Sequence, residues 1–386
     1  MKKPHVLFLF SDTGGGHRSA TEAIIEALGL EFGDAFTTEM VDFFKEYAPI
    51  PFNKMPDLYP QLVKAPQLWK AGFYATDGRA RARVITTAFY PYAHRAAKKL
   101  LNNHPSDIIV TTHLAATSAG LWALGKNRTR RFISVITDPV TTHALWFDKR
   151  ADLILVPTEM ARERAIAYHM PPEKVYVVGQ PVADRYCAPP GDKRALREKL
   201  GWPQDKMITL LIGGGDGMGP ISRTADAINE SGLDLGLVIV AGRNERLKEK
   251  LEAHEWKIPT HIYGFTRDLP DFMRAADVLV TKAGPGTIAE ALNAGLPIIL
   301  NARLPGQEDG NVTYVQKERV GVWAPRTDRV VRTLKKWLED PEERERFAKN
   351  CLIAARPQSA RLIARFIASQ AGLCPEPNLG SGELGE

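Results

Sequence analysis

Short apolar runs alternate along this chain with amphipathic stretches. HVLFLF at residues 5–10 precedes the helical pattern ATEAIIEAL, and MITLLI at 207–212 precedes a glycine-rich turn and a helical pattern from about Ser222. Strands that alternate with helices predict parallel, doubly wound sheets with helices on both faces. Because the same order recurs in both halves, the pattern predicts an α/β protein built from two similar domains.

The domain boundaries follow from length and from one interruption. A chain of 386 residues is long for one core and suits two domains. APPGD at 188–192 breaks both the strand and the helix pattern and has the composition of a linker. We therefore predict domains over 1–190 and 191–355. A closing helix over 356–373, which could return to the first domain, and a flexible tail over 374–386 complete the division.

One stretch departs from the alternation. Residues 43–74 mix aromatic side chains and leucines with lysines and several prolines, too many for one long helix. Aromatic residues interspersed with lysines are typical of a loop at a membrane interface, where ammonium groups stay beside phosphates. The alternative is an irregular segment that packs on its own domain.

Charge and cysteine usage narrow the partners. The net charge is +6, and residues 1–180 hold 22 Lys and Arg against 17 Asp and Glu. Clusters RARAR at 79–83 and KNRTRR at 126–131 suit anionic lipid or nucleic acid, although a plain solvated surface is commoner. The three cysteines form no CxxC pair, so a reducing cytoplasm fits. No apolar run approaches the roughly 18 residues of a membrane span, so membrane contact is expected to be peripheral.

Three glycine-rich turns follow predicted strands: TGGGH at 13–17, GGGDGMGP at 213–220 and KAGPGT at 282–287. Ligands of open α/β sheets lie at the carboxyl ends of strands, where glycines admit backbone amides. None of the turns is a Walker A motif. We expect the second and third turns to bind one diphosphate and the first to present His17 to it.

His17 is the candidate for chemistry. At a helix N-terminus and partly buried, its protonated form is disfavoured, so a neutral imidazole able to accept a proton near pH 7 is expected. The alternative is an ordinary turn residue. The chain has no D-x-D pair to hold a divalent cation, so amides and helix dipoles are expected to neutralise the phosphates.

Two further positions have a purely structural alternative. Thr287 and Glu290 have the T-x-x-E spacing of a capping box, whereas Glu290 could instead accept hydrogen bonds from a ribose. In PGQEDGN at 305–311, the density of polar side chains indicates a polar ligand or a bare polar turn. Asn311 could be a plain helix cap.

Four strings together resemble the monogalactosyldiacylglycerol synthase group of lipid glycosyltransferases, which also contains bacterial diacylglycerol glucosyltransferases. They are DTGGGHRSATEAI, ITDPVTTHALWF, GGGDGMGPI and KAGPGTIAEALNAGLPIILNARLPGQEDGNVTYV. The chain also resembles, more remotely, the lipid-linked GlcNAc transferase of peptidoglycan synthesis. The likeness implies a GT-B fold, in which two Rossmann-like domains face each other across a cleft, with the acceptor on the first and the UDP-sugar on the second.

The resemblance implies roles position by position. His17 corresponds to the catalytic base. The positions that correspond to donor binding are Gly215, Asp216, Gly217, Met218, Arg243, Phe265, Pro285, Gly286, Thr287, Glu290, Gln307, Glu308 and Asn311. The positions assigned to the acceptor and the membrane are Gly15, Gly16, Phe52, Tyr59, Leu68, Trp69, Phe73 and His143.

The function implied is inverting, metal-independent transfer of a hexose from a UDP-sugar to diacylglycerol, with galactose favoured and glucose possible. The UDP-sugar is a co-substrate, no cofactor is expected, and the expected partners are UDP-hexose, diacylglycerol and anionic membrane lipids, not nucleic acid. The oligomeric state stays open. Alternatives are a polyprenyl-linked-precursor GlcNAc transferase, a UDP-sugar epimerase, or a non-catalytic module that binds nucleotide-sugars or nucleic acid. Because no transit peptide precedes the first strand, we expect a cytoplasmic enzyme at the inner face of the cell membrane.

Overall fold

The chain divides into two compact units in the structure, a computed structural model. It describes residues 2–13, 15–50, 52–62, 65–126 and 128–378, with the backbone alone for 59–62. Unit 1 comprises Met1–Asp184, Leu304–Gln307 and Gln358–Glu386, and unit 2 comprises Arg185–Arg303 and Glu308–Pro357.

Unit 1 is built on a parallel six-stranded sheet of order β2-β1-β3-β4-β5-β6. Its strands are β1 His5–Phe10, β2 Thr37–Asp42, β3 Ile108–Thr111, β4 Arg131–Val135, β5 Leu153–Val156 and β6 Val175–Val177. Its helices are α1 Gly16–Phe32, α2 Met55–Leu62, α3 Pro66–Thr76, α4 Arg79–Asn103, α5 Leu114–Leu124, α6 Glu159–Ala167 and α15 Ser359–Gln370. Short π- or 3₁₀-helices span Phe43–Tyr47, Phe52–Lys54, Ala144–Trp146, Pro172–Lys174 and Asp184–Tyr186.

The core of unit 1 has a layer on each face of the sheet. Apolar side chains alternate along β1, so Val6 and Phe8 join one layer and Leu7 and Leu9 the other. α1 and α15 cover the first layer, where Phe366 is fully buried. The last helix of the chain is thus part of unit 1.

Unit 2 repeats the plan with the parallel order β12-β11-β10-β7-β8-β9. Its strands are β7 Met207–Ile212, β8 Leu235–Val240, β9 Thr260–Tyr263, β10 Val278–Lys282, β11 Ile298–Ala302 and β12 Gly321–Trp323. Its helices are α7 Lys193–Leu200, α8 Ile221–Asn229, α9 Glu245–Glu252, α10 Leu269–Ala275, α11 Pro285–Asn293, α12 Asp309–Lys317, α13 Thr327–Glu339 and α14 Pro341–Ala354. The predicted α/β class with two doubly wound domains is confirmed.

Both sheets reverse their winding direction once. In unit 1 the chain runs from β1 outward to β2 and then returns to β3 on the other side, and in unit 2 it runs from β7 to β9 and returns to β10. The carboxyl ends of β1 and β3, and of β7 and β10, therefore flank a topological switch point, the usual ligand position in such sheets.

The aromatic stretch at 43–74 differs from its prediction. Much of it is helical, as a π-helix over Phe43–Tyr47 followed by α2 and α3, so the expectation of a loop is wrong. The prolines are accommodated because the helices are short. Pro66 occupies the first position of α3, where its missing N–H has no partner to lose.

Candidate active site

The switch point of unit 1 brings together two histidines from distant parts of the chain. β1 and β3 are parallel neighbours, with Leu9 opposite Thr111. The loop after β1 leads into α1 through Gly15, whose φ of +74° is the left-handed conformation that favours glycine. His17 then lies in the first turn of α1, beside the residues that follow β3.

The ring of His17 is held in one orientation. Its Nδ1 lies 2.7 Å from the Thr112 carbonyl oxygen and 3.2 Å from the Thr137 Oγ1. The carbonyl can only accept, so Nδ1–H donates to it, and Nε2 is the bare nitrogen. Burial lowers the pKa of His17 to about 4, which keeps the imidazole neutral at pH 7. A neutral imidazole with a bare Nε2 has the form that a general base requires.

His113 is a neighbour that the sequence reasoning missed. Its ring packs edge-on against His17, with the centroids 4.7 Å apart. Its Nδ1 accepts from the Ala115 amide at 3.3 Å, so Nε2–H faces the Thr13 hydroxyl at 3.3 Å. Burial and the proximity of His17 lower its pKa well below the usual value. The available signal was the position of His113, which follows β3 just as the His17 loop follows β1.

Aromatic and acidic groups enclose the two rings. The Phe44 ring lies 5.5 Å from His113, and the Trp146 ring lies 6.3 Å from His17. Trp146 is itself fixed, since its Nε1–H donates to the buried Asp138 carboxylate at 2.6 Å. The histidine pair therefore sits in a largely apolar, low-dielectric setting, which is the cause of both lowered pKa values.

A charged pair lies beside this apolar pocket. The Arg18 guanidinium bonds the Asp12 carboxylate at 2.7 and 2.5 Å and lies over the Phe10 ring. This pairing raises the pKa of Arg18. The arginine beside His17 is thus neutralised by its partner.

His143 contacts α3 through Phe73 and Thr76. The His143 Nδ1 accepts from the Leu145 amide at 3.1 Å and its Nε2 lies 3.1 Å from the Thr76 hydroxyl, while its ring packs on Phe73. These contacts hold α3 on unit 1. The assignment of both residues to acceptor binding stays a prediction.

Large apolar and basic side chains are exposed on α3 and α4 of unit 1, and they are here together called the apolar–basic surface. Its large apolar side chains are well exposed, Leu68 and Val84 at 68% each and Tyr92 at 62%. The exposed Arg79, Arg81 and Arg83 of RARAR form the first turn of α4. Within the described ranges, no helix has the length and apolarity to cross a bilayer.

Other predicted acceptor positions are less exposed or lie outside this description. Trp69 is partly buried, and Phe52 packs edge-on against Phe89 of α4. Tyr59 lies in α2, and its side chain is outside the described residues, as is Gly14 of the first turn. Gly16 has open space where a side chain would stand.

In unit 2 the glycines of the turn after β7 fall into two groups. A Cβ on Gly217 would lie 2.2 Å from the Ala241 carbonyl oxygen, and one on Gly213 would lie 2.3 Å from that of Met218. These two glycines are required by close backbone packing. Gly214 and Gly219 have no such clash, so their lack of a side chain leaves space at the strand ends.

Three of the predicted donor residues form one cluster. The Arg243 guanidinium donates two hydrogen bonds to Asp216 Oδ1, at 3.0 and 2.8 Å, and lies 5.4 Å from the centre of the Phe265 ring. Phe265 is 62% exposed, which is unusual for a phenylalanine and leaves its ring accessible. Arg243 also donates its backbone N–H to the Gly215 carbonyl.

The structure rejects the capping-box alternative for Glu290. α11 begins at Pro285 with Gly284 as its N-cap, so Thr287 lies inside the helix and caps nothing. Gly286 has open space around it.

Burial raises the pKa of Glu290 to about 7, and the Arg185 charge offsets this upward shift only in part. Burial and the Glu290 charge also raise the pKa of Tyr186.

The polar loop at 305–311 is divided. Gln307 belongs to unit 1 and Glu308 to unit 2. Glu308 accepts a hydrogen bond from the Lys282 ammonium at 2.7 Å.

The alternative of Asn311 as a helix cap is wrong, because α12 begins at Asp309. Asn311 instead donates from Nδ2 to the Ala283 carbonyl at 2.8 Å and so fixes the turn before α11.

Metal-ligating side chains are not clustered in the described part of either unit. Among the described residues, no group of three or more His, Cys, Asp or Glu side chains is placed to hold a metal ion. The three cysteines are free thiols.

Comparison with solved structures shows that this architecture is the GT-B fold. Acinetobacter baumannii MurG matches with a TM-score of 0.59 at 16% identity, over 95% of this chain and 99% of that one. The UDP-GlcNAc 2-epimerase of Neisseria meningitidis bound to UDP-GlcNAc matches with a TM-score of 0.56 at 14% identity, over 95% and 100%. At this identity the likeness shows the fold alone.

Sequence comparison defines the family. The family model described as monogalactosyldiacylglycerol (MGDG) synthase matches residues 17–182, and that described as glycosyl transferases group 1 matches 192–351. Monogalactosyldiacylglycerol synthase 2, chloroplastic, of Arabidopsis thaliana is 37% identical over 374 residues, 94% of this chain and 80% of its own length. The chain belongs to the monogalactosyldiacylglycerol synthase family of glycosyltransferases, as the resemblance predicted.

The same relatives correct the predicted location. Curated plant members from rice, Arabidopsis and spinach are named chloroplastic. The prediction of a cytoplasmic enzyme on the inner face of the cell membrane is wrong. It depended on where the sequence begins, which carries no information about the compartment.

Proposed function

We propose that this protein transfers galactose from UDP-galactose to the free hydroxyl of diacylglycerol, giving a monogalactosyldiacylglycerol and UDP. The observation that carries the proposal is the 37% identity to a monogalactosyldiacylglycerol synthase across 94% of the chain. The fold does not decide between a transferase and an epimerase, because solved examples of both share it.

His17 acts as the general base in this proposal. Its bare Nε2 takes the proton of the diacylglycerol hydroxyl as that oxygen attacks the sugar C1, the C1–O bond to the β-phosphate breaks, and UDP leaves with the bonding electrons. A single displacement inverts the anomeric centre. The low-dielectric pocket formed by His113, Phe44 and Trp146 keeps the imidazole neutral beforehand.

Unit 2 binds the donor in this proposal. The open space at Gly286 admits the diphosphate to backbone amides, and the exposed Phe265 lies beside the uracil. Glu290 accepts hydrogen bonds from the ribose hydroxyls, and Gln307 and Glu308 contact the hexose. No cofactor or metal ion takes part, since the proton acceptor and the phosphate ligands all come from the chain.

The apolar–basic surface of unit 1 docks on anionic lipid in this proposal, and nucleic acid is not a partner. Exposed Leu68, Val84 and Tyr92 enter the headgroup region, while Arg79 and Arg83 remain beside lipid phosphates. A lipid acceptor makes such a surface necessary, because diacylglycerol does not leave the bilayer unaided.

The test is product formation with two donors side by side. The full chain is incubated with vesicles of diacylglycerol and phosphatidylglycerol and with labelled UDP-galactose or UDP-glucose, and the label is counted in the organic phase. We expect a galactolipid that depends on diacylglycerol and is lost in His17→Ala. A glucolipid alone would overturn the choice of hexose.

The alternatives have separate readouts in the same experiment. An epimerase would convert the UDP-sugar with no lipid present, which NMR of the nucleotide-sugar detects. A polyprenyl-linked-precursor GlcNAc transferase would need UDP-GlcNAc and its own acceptor. A binding module would retain UDP affinity with no turnover and would be indifferent to His17→Ala.

A further inference from the structure

Lys282 is a basic residue at the switch point of unit 2 that the sequence reasoning did not select. It is the last residue of β10, the strand that neighbours β7. The pairing of β10 with β11 shifts register between Thr281 and Lys282. Such bulges re-aim a side chain at the end of a strand and are over-represented next to active sites.

The side chain of Lys282 lies between the two glycine-rich turns. A Cβ on Gly214, in the turn after β7, would stand 3.6 Å from the lysine Cε. A Cβ on Gly284, in the turn before α11, would stand 3.1 Å from the lysine Nζ. The lysine side chain therefore packs against both turns, and its ammonium group lies beside the second one.

Lys282 has an ion-pair partner that uses only some of the hydrogen-bond donors of its ammonium group. Its ammonium group bonds Glu308 Oε1 at 2.7 Å, with only 21% of the lysine side chain and 7% of the glutamate side chain exposed. An ammonium group has three donors. The nearby Asn311 side chain is buried, and its Oδ1 has no hydrogen-bond partner.

We infer that Lys282 binds the β-phosphate of the nucleotide diphosphate and stabilises it as it leaves. This inference rests on the proposed function and names a residue of that site. As the C1–O bond breaks, its electron pair passes to the β-phosphate oxygen, and the Lys282 ammonium donates hydrogen bonds to the phosphate without transferring a proton. Before the donor arrives, Glu308 occupies one of the three lysine donors.

Binding of a graded nucleotide series tests the inference without turnover. Uridine, UMP and UDP are titrated calorimetrically into the full wild-type chain, Lys282→Met, and Lys335→Met as a matched control on an exposed face of α13. We expect Lys282→Met to weaken UDP binding by about 10- to 100-fold, as for loss of a charge-assisted hydrogen bond, with uridine affinity unchanged. Lys335→Met should match the wild type throughout.

Two further variants separate a phosphate contact from a structural role. Lys282→Met leaves Glu308 buried without its lysine, so Lys282→Met/Glu308→Gln restores a neutral pair, and thermal melts confirm that each variant folds. The double variant should still lose the gain in affinity from UMP to UDP. Glu308→Gln alone should bind UDP at least as tightly as the wild type, because no carboxylate then competes for the lysine. Weaker UDP binding in folded Glu308→Gln contradicts the inference.

Failure of the inference and failure of the proposed function give different results. If the wild type binds UDP and makes galactolipid while a folded Lys282→Met keeps the full gain from UMP to UDP, the inference is overturned and the function stands. If the wild type binds UDP without making lipid product, the function fails, and the UMP-to-UDP gain still decides the role of Lys282. A wild type that does not bind UDP overturns both.

Discussion

The switch points of the two units occupy the same place in equivalent sheets but differ in their electrostatics. In unit 1 the strand ends converge on two neutral histidines, the buried His113 and the partly buried His17, with the adjacent Arg18 neutralised by Asp12. In unit 2 they converge on ion pairs, Lys282 with Glu308 and Arg243 with Asp216, between turns opened by glycines. The same sheet plan thus provides two different electrostatic environments.

The difference follows from what each task requires. A histidine that accepts a proton must be uncharged before the reaction, and a low-dielectric pocket favours the neutral imidazole. An anionic leaving group needs positive charge and backbone amides already oriented. Substitutions in each unit test this contrast, beginning with the one expected to have the largest effect.

Removal of the unit 1 base has the largest expected effect. His17→Ala should lower kcat by about 10²- to 10⁴-fold, the usual contribution of a positioned base. UDP affinity should not change, because the donor belongs to unit 2. Lipid-product assays and UDP titration measure the two quantities. His254→Ala, an exposed histidine of unit 2, is the control and should retain wild-type turnover. An unchanged kcat in His17→Ala would contradict the assignment of the general base to His17.

Two alanine substitutions in unit 2 distinguish glycines required by packing from those that leave space for a ligand. Gly217→Ala should destabilise the protein by about 2–3 kcal/mol, because its Cβ meets the Ala241 carbonyl and its φ is +61°. Gly286→Ala should leave the melting temperature equal or higher and weaken UDP binding. Calorimetric melts and UDP titration give both results. Equal stability losses at the two positions would contradict the distinction.

Glu290 links pH to stability in unit 2. Its folded pKa of about 7 exceeds the unfolded value of 4.5, so the folded chain holds the extra proton between these values and loses stability as pH rises through them. Glu290→Gln should therefore be more stable than the wild type at pH 8, by about 1–3 kcal/mol, and nearly equal to it at pH 4. Denaturant melts at both pH values test this. A difference that does not vary with pH would contradict the raised pKa.

The neighbour of the base sets the pH profile in unit 1. The pKa of His17 is about 4. If the charge of His17 determines the pH dependence, wild-type kcat/KM should be constant near neutral pH and fall only toward pH 4. His113→Ala admits water beside His17 and should move this acid limb toward 6.5, by about one unit or more. A pH–rate profile with the vesicle assay gives the midpoint. If the midpoint of the acid limb does not move, His113 does not control the charge of His17.

The smallest effect concerns the membrane. Arg79→Ala and Arg83→Ala should each weaken binding to phosphatidylglycerol vesicles by about fivefold, corresponding to roughly 1 kcal/mol per basic residue. Binding should also fall with salt. Vesicle sedimentation measures it, with the exposed Arg346→Ala of unit 2 as the control. Equal losses in all three variants would assign the effect to net charge rather than to the apolar–basic surface.

The sequence alone determined the two doubly wound sheets, and it singled out His17 as the candidate base. Alternating strand and helix patterns are local, so β1 and α1 could be recognised within the first 32 residues, and glycines after a strand marked the turns. The family strings added the donor positions. Short motifs were less reliable, since the T-x-x-E spacing at Thr287 and the position of Asn311 suggested caps that do not form. A local spacing does not specify at which residue a helix begins.

Only the tertiary structure decided which residues meet at each switch point. His17 and the Thr112 carbonyl are 95 positions apart, and they are neighbours because β3 returns beside β1. Lys282 reaches the turn after β7 for the same reason, since β10 returns beside β7. The sequence had also left open where the closing helix packs, and the structure places α15 on α1. Sheet order depends on packing summed over the whole domain, which no local stretch of sequence records.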